Sequence, residues 1–186
     1  PHTEVLTEDE ICRPKSIYAL SKHTCEQLLS IYATPHGIDW NVLRMFNVYG
    51  PGQDLSRKDQ GMVSIFLSLV KEKNYIGVQG SLDRFRDFIY IDDVVEAYCL
   101  LIKDLDRGGS DIFNICSGQA ISVEDVVNWI AEKVGASKSL LNFGARTMRE
   151  GEQMTSYGSN DKAREILGWQ PGEVQVGIFK LVDHQS

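Results

Sequence analysis

The chain has 186 residues, which is enough for one substantial domain or for one domain and part of another. Hydrophobic residues make up 42% and charged residues 24%, a composition typical of a globular protein that can bury a core. Lysine and arginine number 19 against 26 aspartates and glutamates, so the net charge is −7. This charge argues against a general nucleic-acid binder, which needs a basic surface, but it is compatible with a small anionic substrate held by a few arginines.

Other classes of protein also find little support in the sequence. No segment approaches the ~20 apolar residues of a membrane-spanning helix, and we expect no membrane partner. The first four residues include neither an initiator methionine nor a signal-peptide pattern, and we expect the chain to be part of a longer protein. The histidines are scattered without a zinc-ligand spacing, and no Gly-x-Ser-x-Gly motif indicates a hydrolase. Four widely spaced cysteines, Cys12, Cys25, Cys99 and Cys116, form no C-x-x-C pair, and we expect them to be buried, reduced thiols of a cytoplasmic protein.

The first half of the chain predicts a loop, a long helix, a strand and a second helix. Residues 1–13 are polar and acidic and predict a surface loop. Ser16 is a suitable N-cap for a helix that runs to about Ala33 and ends before Pro35. The apolar run at 40–46 predicts a buried strand that leads into a loop at 49–52. A helix over 62–73 and a short strand over 75–78 follow.

The second half continues the alternation of strands and helices. A strand over 88–91 precedes a helix over 94–103, for which Asp92 and Asp93 are the predicted cap. A strand over 112–115 is followed by a helix to about Val134. The capping-box pattern of Ser122 and Asp125 predicts the beginning of this helix. A last short helix is predicted over 160–167 and ended by Gly168. Such alternation is typical of an α/β fold.

Tyr18 and Lys22 are the first candidate catalytic residues. At a spacing of four they lie on one face of a helix, one turn apart. A phenol is a poor base at neutral pH, but a nearby ammonium group favours the phenolate. Such a tyrosine can exchange a proton with an alcohol while a hydride moves to a cofactor. Taken alone, however, this pair is more often an ordinary feature of a helix surface.

An ordered series of motifs gives the pair a context. The motifs occupy 16–22 (SIYALSK), 43–52 (LRMFNVYGPG), 86–94 (RDFIYIDDV), 113–118 (FNICSG), 149–152 (REGE) and 167–171 (LGWQP). Across essentially the whole chain this series resembles the extended short-chain dehydrogenase/reductase family, and within it the NAD-dependent nucleotide-sugar epimerases and dehydratases. The resemblance implies an α/β fold that contains the C-terminal part of a Rossmann-type NAD-binding domain, at 1–52. It also implies a smaller α/β substrate-binding domain, mainly 53–186, with some segments returning to the Rossmann sheet.

The resemblance also implies roles for the residues at matching positions. Tyr18 corresponds to the acid/base tyrosine, and Lys22 to the lysine that holds the nicotinamide ribose and tunes that tyrosine. Phe46 corresponds to a residue at the nicotinamide end of NAD. Asn47 and Arg86 correspond to residues that hold the diphosphate of a nucleotide sugar, and arginine forks suit this group because they form bidentate, charge-assisted bonds.

Four further positions correspond to the nucleotide pocket. Arg149 resembles a second nucleotide-binding arginine, and Glu152 stands where the family usually has aspartate. Met62 and Val78 fall where the family lines the nucleotide pocket, although apolar side chains at such positions more often belong to the core. Two simpler interpretations remain open elsewhere: Arg86 could form a surface ion pair with Asp87, and Asn47 could serve a turn before Gly50.

The family's glycine-rich dinucleotide fingerprint is not found in this sequence. Three hypotheses therefore stand. The chain is the C-terminal part of a UDP-glucose 4-epimerase-like enzyme, of a nucleotide-sugar 4,6-dehydratase, or an inactive fragment that lacks the half of the domain that binds NAD. By resemblance, we expect NAD as cofactor, a nucleotide-diphosphate sugar as substrate, and a homodimer formed through a bundle that includes the Tyr18 helix.

Overall fold

A computed structural model describes residues 5–57, 61–72, 76–79, 84–104, 108–137, 141–146 and 153–185. Its helices are α1 (Ile17–Ala33), α2 (Met62–Lys71), α3 (Ile91–Lys103), α4 (Val123–Val134), α5 (Asp161–Leu167) and α6 (Val174–His184), and a short 3-10 turn spans Thr34–His36. Its strands are β1 (Asn41–Met45), β2 (Asn47–Tyr49), β3 (Ile76–Gln79), β4 (Phe85–Arg86), β5 (Phe88–Tyr90), β6 (Asp111–Ile115), β7 (Ile121–Ser122), β8 (Leu141–Arg146) and β9 (Thr155–Ser156).

The predicted α/β fold is confirmed, and most strand pairs are parallel. Strand β1 pairs with β6, β2 with β5, and β3 with β8, all in parallel. Strand β4 pairs in parallel with β9 and antiparallel with β7. Phe46 separates β1 from β2, so the polypeptide changes its pairing partner from β6 to β5 at this residue. The division into domains at residue 52 stays a prediction.

Serine side chains cap two of the predicted helices. Ser16 accepts a hydrogen bond from the Ala19 amide at 3.1 Å, and Ser122 accepts one from the Asp125 amide at 2.9 Å. The predicted cap of α3 is wrong, because the helix begins at Ile91 and follows extended Tyr90 directly. Asp92 and Asp93 therefore lie in its first turn, where their charges still favour the positive end of the helix.

The helix predicted to be the last, α5, is followed by a longer one. Helix α6 was missed because Gly168 and Pro171 indicate an end to regular structure. Its buried positions nevertheless follow the helical period: Val174, Ile178, Leu181 and Val182. The sequence does not predict five of the strands, β2, β4, β7, β8 and β9. All of them except β8 are two or three residues long, too short for an alternating pattern to be recognised.

Two hydrophobic clusters support the sheets. The first cluster joins α2, α4 and α6 to β5, and Leu67, Phe88 and Ile130 at its centre have no exposed surface. The second cluster packs α3 and α5 against β5 and β6 around Trp169, which is also fully buried. The indole Nε1 of Trp169 donates a hydrogen bond of 2.8 Å to the Asp93 carbonyl oxygen, so α3 is tied to the segment after α5.

Helix α1 makes few buried contacts within the described residues. Ala33 is its one buried residue there, whereas Ile17, Ile31 and Leu28 are 89%, 70% and 59% exposed. The helix is held to β1 by Arg44, which forms a bidentate ion pair with Glu26 at 3.0 and 2.8 Å. This carboxylate raises the pKa of the Arg44 guanidinium. None of the helices described is both long enough and apolar enough to cross a membrane.

The expectation that all cysteines are buried is wrong. Cys116 is buried, but Cys12, Cys25 and Cys99 are exposed, and all four are free thiols. Two of the exposed thiols lie on surfaces that the described residues leave uncovered, since Cys25 belongs to α1 and Cys99 to the outer side of α3. Burial raises the pKa of the Cys116 thiol, and the neighbouring Asp87 carboxylate adds to this effect.

Candidate active site

Tyr18 and Lys22 lie as the sequence predicts, on one face of α1. The Lys22 Nζ lies 5.7 Å from the centroid of the Tyr18 ring, within the range of a cation–π contact. Both side chains are exposed, Tyr18 by 72%, so a ligand can reach the phenol and the ammonium from the same side. The pair offers a hydroxyl that can give or take a proton next to a positive charge.

Asn47 and Phe46 stand at the carboxyl end of β1, where the chain passes into β2. The Asn47 Nδ2 donates a hydrogen bond of 2.6 Å to the Asp87 carbonyl oxygen, and the Asn47 backbone N–H donates to the same oxygen at 3.2 Å. Asn47 is therefore part of a strand and not of a turn before Gly50, so the simpler interpretation is wrong. The Phe46 N–H donates to the Ile115 carbonyl oxygen at 3.1 Å, and its ring packs against Gly158.

Asp87 is the functional candidate that the sequence analysis missed. It has no exposed surface, and its carboxylate accepts four hydrogen bonds: from the Ser117 N–H and Oγ at 2.7 Å each, from the Gly118 N–H at 3.0 Å and from the Gly158 N–H at 3.3 Å. Burial raises the pKa of Asp87, while these four bonds oppose the increase. Its place directly before the apolar run at 88–91 was the signal that could have identified it, since a buried carboxylate requires partners.

Arg86 precedes Asp87 and lies half-buried on β4. Its Nη1 donates to the Phe85 carbonyl oxygen at 2.8 Å and to the Met154 carbonyl oxygen at 3.3 Å. These bonds hold the guanidinium between β4 and the segment that leads into β9. The interpretation of Arg86 and Asp87 as a surface ion pair is wrong, because Asp87 is fully buried and its carboxylate binds other groups.

The remaining predicted site residues receive less support. Met62 is the first residue of α2 and packs against the first hydrophobic cluster, which agrees with its interpretation as a core residue. Val78 lies in β3, but its side chain is outside the described part of the structure. Arg149 and Glu152 also lie outside the described residues. Their proposed contacts with a nucleotide stay predictions.

A polar cavity of about 390 Å³ opens beyond the carboxyl end of β6. Ser117, Gly118 and Gly158, which bind the Asp87 carboxylate, form part of its wall. The cavity also reaches Arg164 on α5. The predicted site residues that the structure describes do not line it, so this cavity is separate from the Tyr18 and Lys22 pair.

Comparisons with known proteins identify the family. Residues 1–116 match the model of the NAD dependent epimerase/dehydratase family. The chain is 32% identical over 182 residues to dTDP-L-rhamnose 4-epimerase of Burkholderia thailandensis, covering 94% of this chain and 49% of that protein. It is 33% identical over 179 residues to dTDP-4-dehydro-6-deoxyglucose reductase of Escherichia coli, covering 95% and 54%.

A solved structure gives the same result for the fold. The UDP-glucose 4-epimerase of Thermotoga maritima, solved with UDP-glucose, superposes with a TM-score of 0.88 at 31% identity, covering 97% of this chain and 56% of that one. The chain thus spans about half the length of the relatives it matches. It belongs to the NAD-dependent epimerase/dehydratase family, whose members are enzymes that use NAD.

Proposed function

We propose that this chain supplies the acid/base and substrate-binding part of an NAD-dependent nucleotide-sugar 4-epimerase that resembles UDP-glucose 4-epimerase. The observation that carries the proposal is the Tyr18 and Lys22 pair, one turn apart on an exposed helix face with the ammonium 5.7 Å from the ring. The similarity to enzymes named 4-epimerases, at 31 and 32% identity, supports this reaction.

The donor groups of this pair fit the nicotinamide ribose of NAD. A hydroxyl and an ammonium group that share one helix face can bond ribose hydroxyls, and Phe46 at the end of β1 would contact the nicotinamide end. The glycine-rich loop that would hold the NAD diphosphate is not in this sequence. When bound, NAD would accept a hydride from C4 of the sugar and return it.

Tyr18 would act as the acid/base in both directions. The Tyr18 Oη, on the same helix face as the Lys22 ammonium, would take the proton of the sugar 4-hydroxyl as C4 is oxidised. The same group returns the proton after the 4-keto sugar has presented its other face. Asn47 and Arg86 would hold the diphosphate of the nucleotide sugar while the sugar turns, since a guanidinium forms bidentate, charge-assisted bonds to phosphate oxygens.

A direct assay distinguishes this reaction from its alternatives. The full-length natural protein that contains this chain is supplied with NAD and either UDP-glucose or dTDP-glucose. We expect the 4-epimer as product, with no net change in NAD absorbance. Accumulation of a 4-keto-6-deoxy sugar would instead favour a 4,6-dehydratase. Turnover of neither sugar by the natural protein in the presence of NAD would instead favour the third hypothesis, an inactive fragment.

The diphosphate contact is tested with Arg86→Ala. A hydrogen bond to a charged group contributes about 1.5–3 kcal/mol, so the Kd for UDP-glucose should rise roughly 10- to 100-fold. The measurement is isothermal titration calorimetry at fixed ionic strength. Arg164→Ala, which removes an exposed arginine from α5, serves as the matched control and should leave the Kd unchanged. Equal Kd values for Arg86→Ala and the wild type would contradict the assignment.

The proposal includes a homodimer, and the exposed apolar side chains of α1 support it. Ile17, Leu28 and Ile31 form an exposed apolar surface, which is uncommon on a helix that contacts only water. Sedimentation of the full-length protein should give the mass of two copies. A single copy with α1 protected from hydrogen exchange would show instead that another part of the same polypeptide covers the helix.

A further inference from the structure

Asp87 connects three segments that are distant in the chain. Its carboxylate accepts hydrogen bonds from Ser117 and Gly118, which follow β6, and from Gly158, which follows β9. Its own backbone N–H donates to the Ser156 carbonyl oxygen at 3.1 Å. These bonds and the complete burial of Asp87 restrain its backbone position.

The carbonyl oxygen of Asp87 connects this restrained backbone to Asn47. That oxygen accepts both the Asn47 N–H at 3.2 Å and the Asn47 Nδ2 at 2.6 Å. The amide plane of an exposed asparagine is otherwise free to rotate about its terminal torsion. The bond from Nδ2 to the Asp87 carbonyl oxygen therefore restrains the orientation of the Asn47 side-chain amide.

Gly158 extends the same arrangement to Phe46. Its N–H is bound to the Asp87 carboxylate, and its Cα leaves room for the Phe46 ring. A Cβ at position 158 would lie 2.8 Å from Cε2 of that ring and 3.0 Å from the Cys116 Sγ. The loop held by Asp87 is thus also the surface on which Phe46 rests.

We propose that Asp87 is a positioning residue that orients Asn47, and through Gly158 also Phe46, for binding of the nucleotide sugar and NAD. The proposal rests on the function proposed above, since it assigns the way in which that site is held. Asp87 itself touches neither ligand: its carboxylate is enclosed by backbone amides and the Ser117 hydroxyl.

The first test needs no ligand. In the full chain labelled with ¹⁵N, the side-chain amide of Asn47 is observed in the wild type, Asp87→Asn and Ser117→Ala. Asp87→Asn turns donor groups toward the Gly118 and Gly158 amides, and Ser117→Ala removes one bond to the carboxylate. We expect the Asn47 amide protons to exchange about tenfold faster in Asp87→Asn than in the wild type. In Ser117→Ala their exchange rate should also increase, but by a smaller factor.

Asp93→Asn is the matched control. It makes the same chemical change at a partly buried aspartate of α3 whose carboxylate accepts a bond from the Gly172 amide. This variant should leave the Asn47 amide protons unchanged. If Asp87→Asn does not fold, Ser117→Ala still decides the matter. Unchanged Asn47 protons in the folded variants would overturn the proposal.

The second test is a double-mutant cycle on UDP-glucose binding with Asp87→Asn and Asn47→Ala. If Asp87 acts through Asn47, each single variant raises the Kd about tenfold and the double variant raises it no further. A double variant near 100-fold would mean independent effects and would overturn the positioning role. A wild-type protein that binds no nucleotide sugar would reject the proposed function, whereas the amide measurement would still decide the role of Asp87.

Discussion

Replacing Tyr18 with phenylalanine is expected to lower kcat for 4-epimerisation by about 10²- to 10⁴-fold, the usual contribution of a positioned general acid/base. The ring stays, and only the hydroxyl that exchanges the proton is lost. The fold should be unaffected, since Tyr18 is 72% exposed and its ring lies on the surface of α1. The measurement is steady-state turnover of UDP-glucose by the full-length natural protein with NAD, together with circular dichroism of each variant.

Tyr32→Phe is the matched control for this experiment. Tyr32 lies near the other end of α1, is 64% exposed and stacks on His36 at 4.7 Å between ring centroids. Its loss of a hydroxyl should leave kcat unchanged. A Tyr18→Phe enzyme with wild-type kcat would show that the acid/base lies elsewhere, even if substrate binding were intact.

The second large effect concerns the stability of the fold. Trp169→Ala should lower the free energy of unfolding by about 3–5 kcal/mol, the usual loss when a large aromatic side chain is removed from a core. Trp169 has no exposed surface, belongs to the second hydrophobic cluster and donates a hydrogen bond to the Asp93 carbonyl oxygen. Urea denaturation followed by far-ultraviolet circular dichroism measures the change.

Two further variants separate packing from general surface effects. Trp169→Phe keeps much of the ring volume but loses the indole N–H, so its destabilisation should fall between that of the alanine variant and the wild type. Ile102→Ala removes a side chain on α3 that is 61% exposed and should change the free energy by less than about 0.5 kcal/mol. A loss below about 1 kcal/mol in Trp169→Ala would contradict a cluster built around the indole.

Local signals in the sequence predicted most elements near their observed bounds. Ser16 and Ser122 identify helix starts because an N-cap is a local hydrogen bond between residues three apart. The sequence predicts the beginning of α3 three residues too late, because its acidic pair resembles a cap but occupies the first turn. The two-residue strands could not be predicted, because their pairing depends on partners distant in the chain.

The candidate site divides in the same way. Tyr18 and Lys22 could be paired from their spacing alone, because one helix carries both. The surroundings of Asn47 and Arg86 could not be predicted, because their bonds lead to Asp87 and Met154, which are distant from them in the chain. Asp87 was not identified from the sequence for the same reason: the four groups that donate hydrogen bonds to its carboxylate come from two distant segments, 117–118 and the loop at Gly158.

The sequence by itself determined the α/β class, the helix that carries Tyr18 and Lys22, and the family, since all three depend on local periodicity and on motifs in a fixed order. Only the tertiary structure decided that Asn47 and Phe46 are held by way of Asp87. The physical reason is that a buried carboxylate needs donors to offset its desolvation, and β6, β9 and their loops supply them only after the chain has folded. The net charge of −7 does not describe the local charge of the candidate site, because Arg86 and Lys22 supply positive charges there that the sum over the chain does not show.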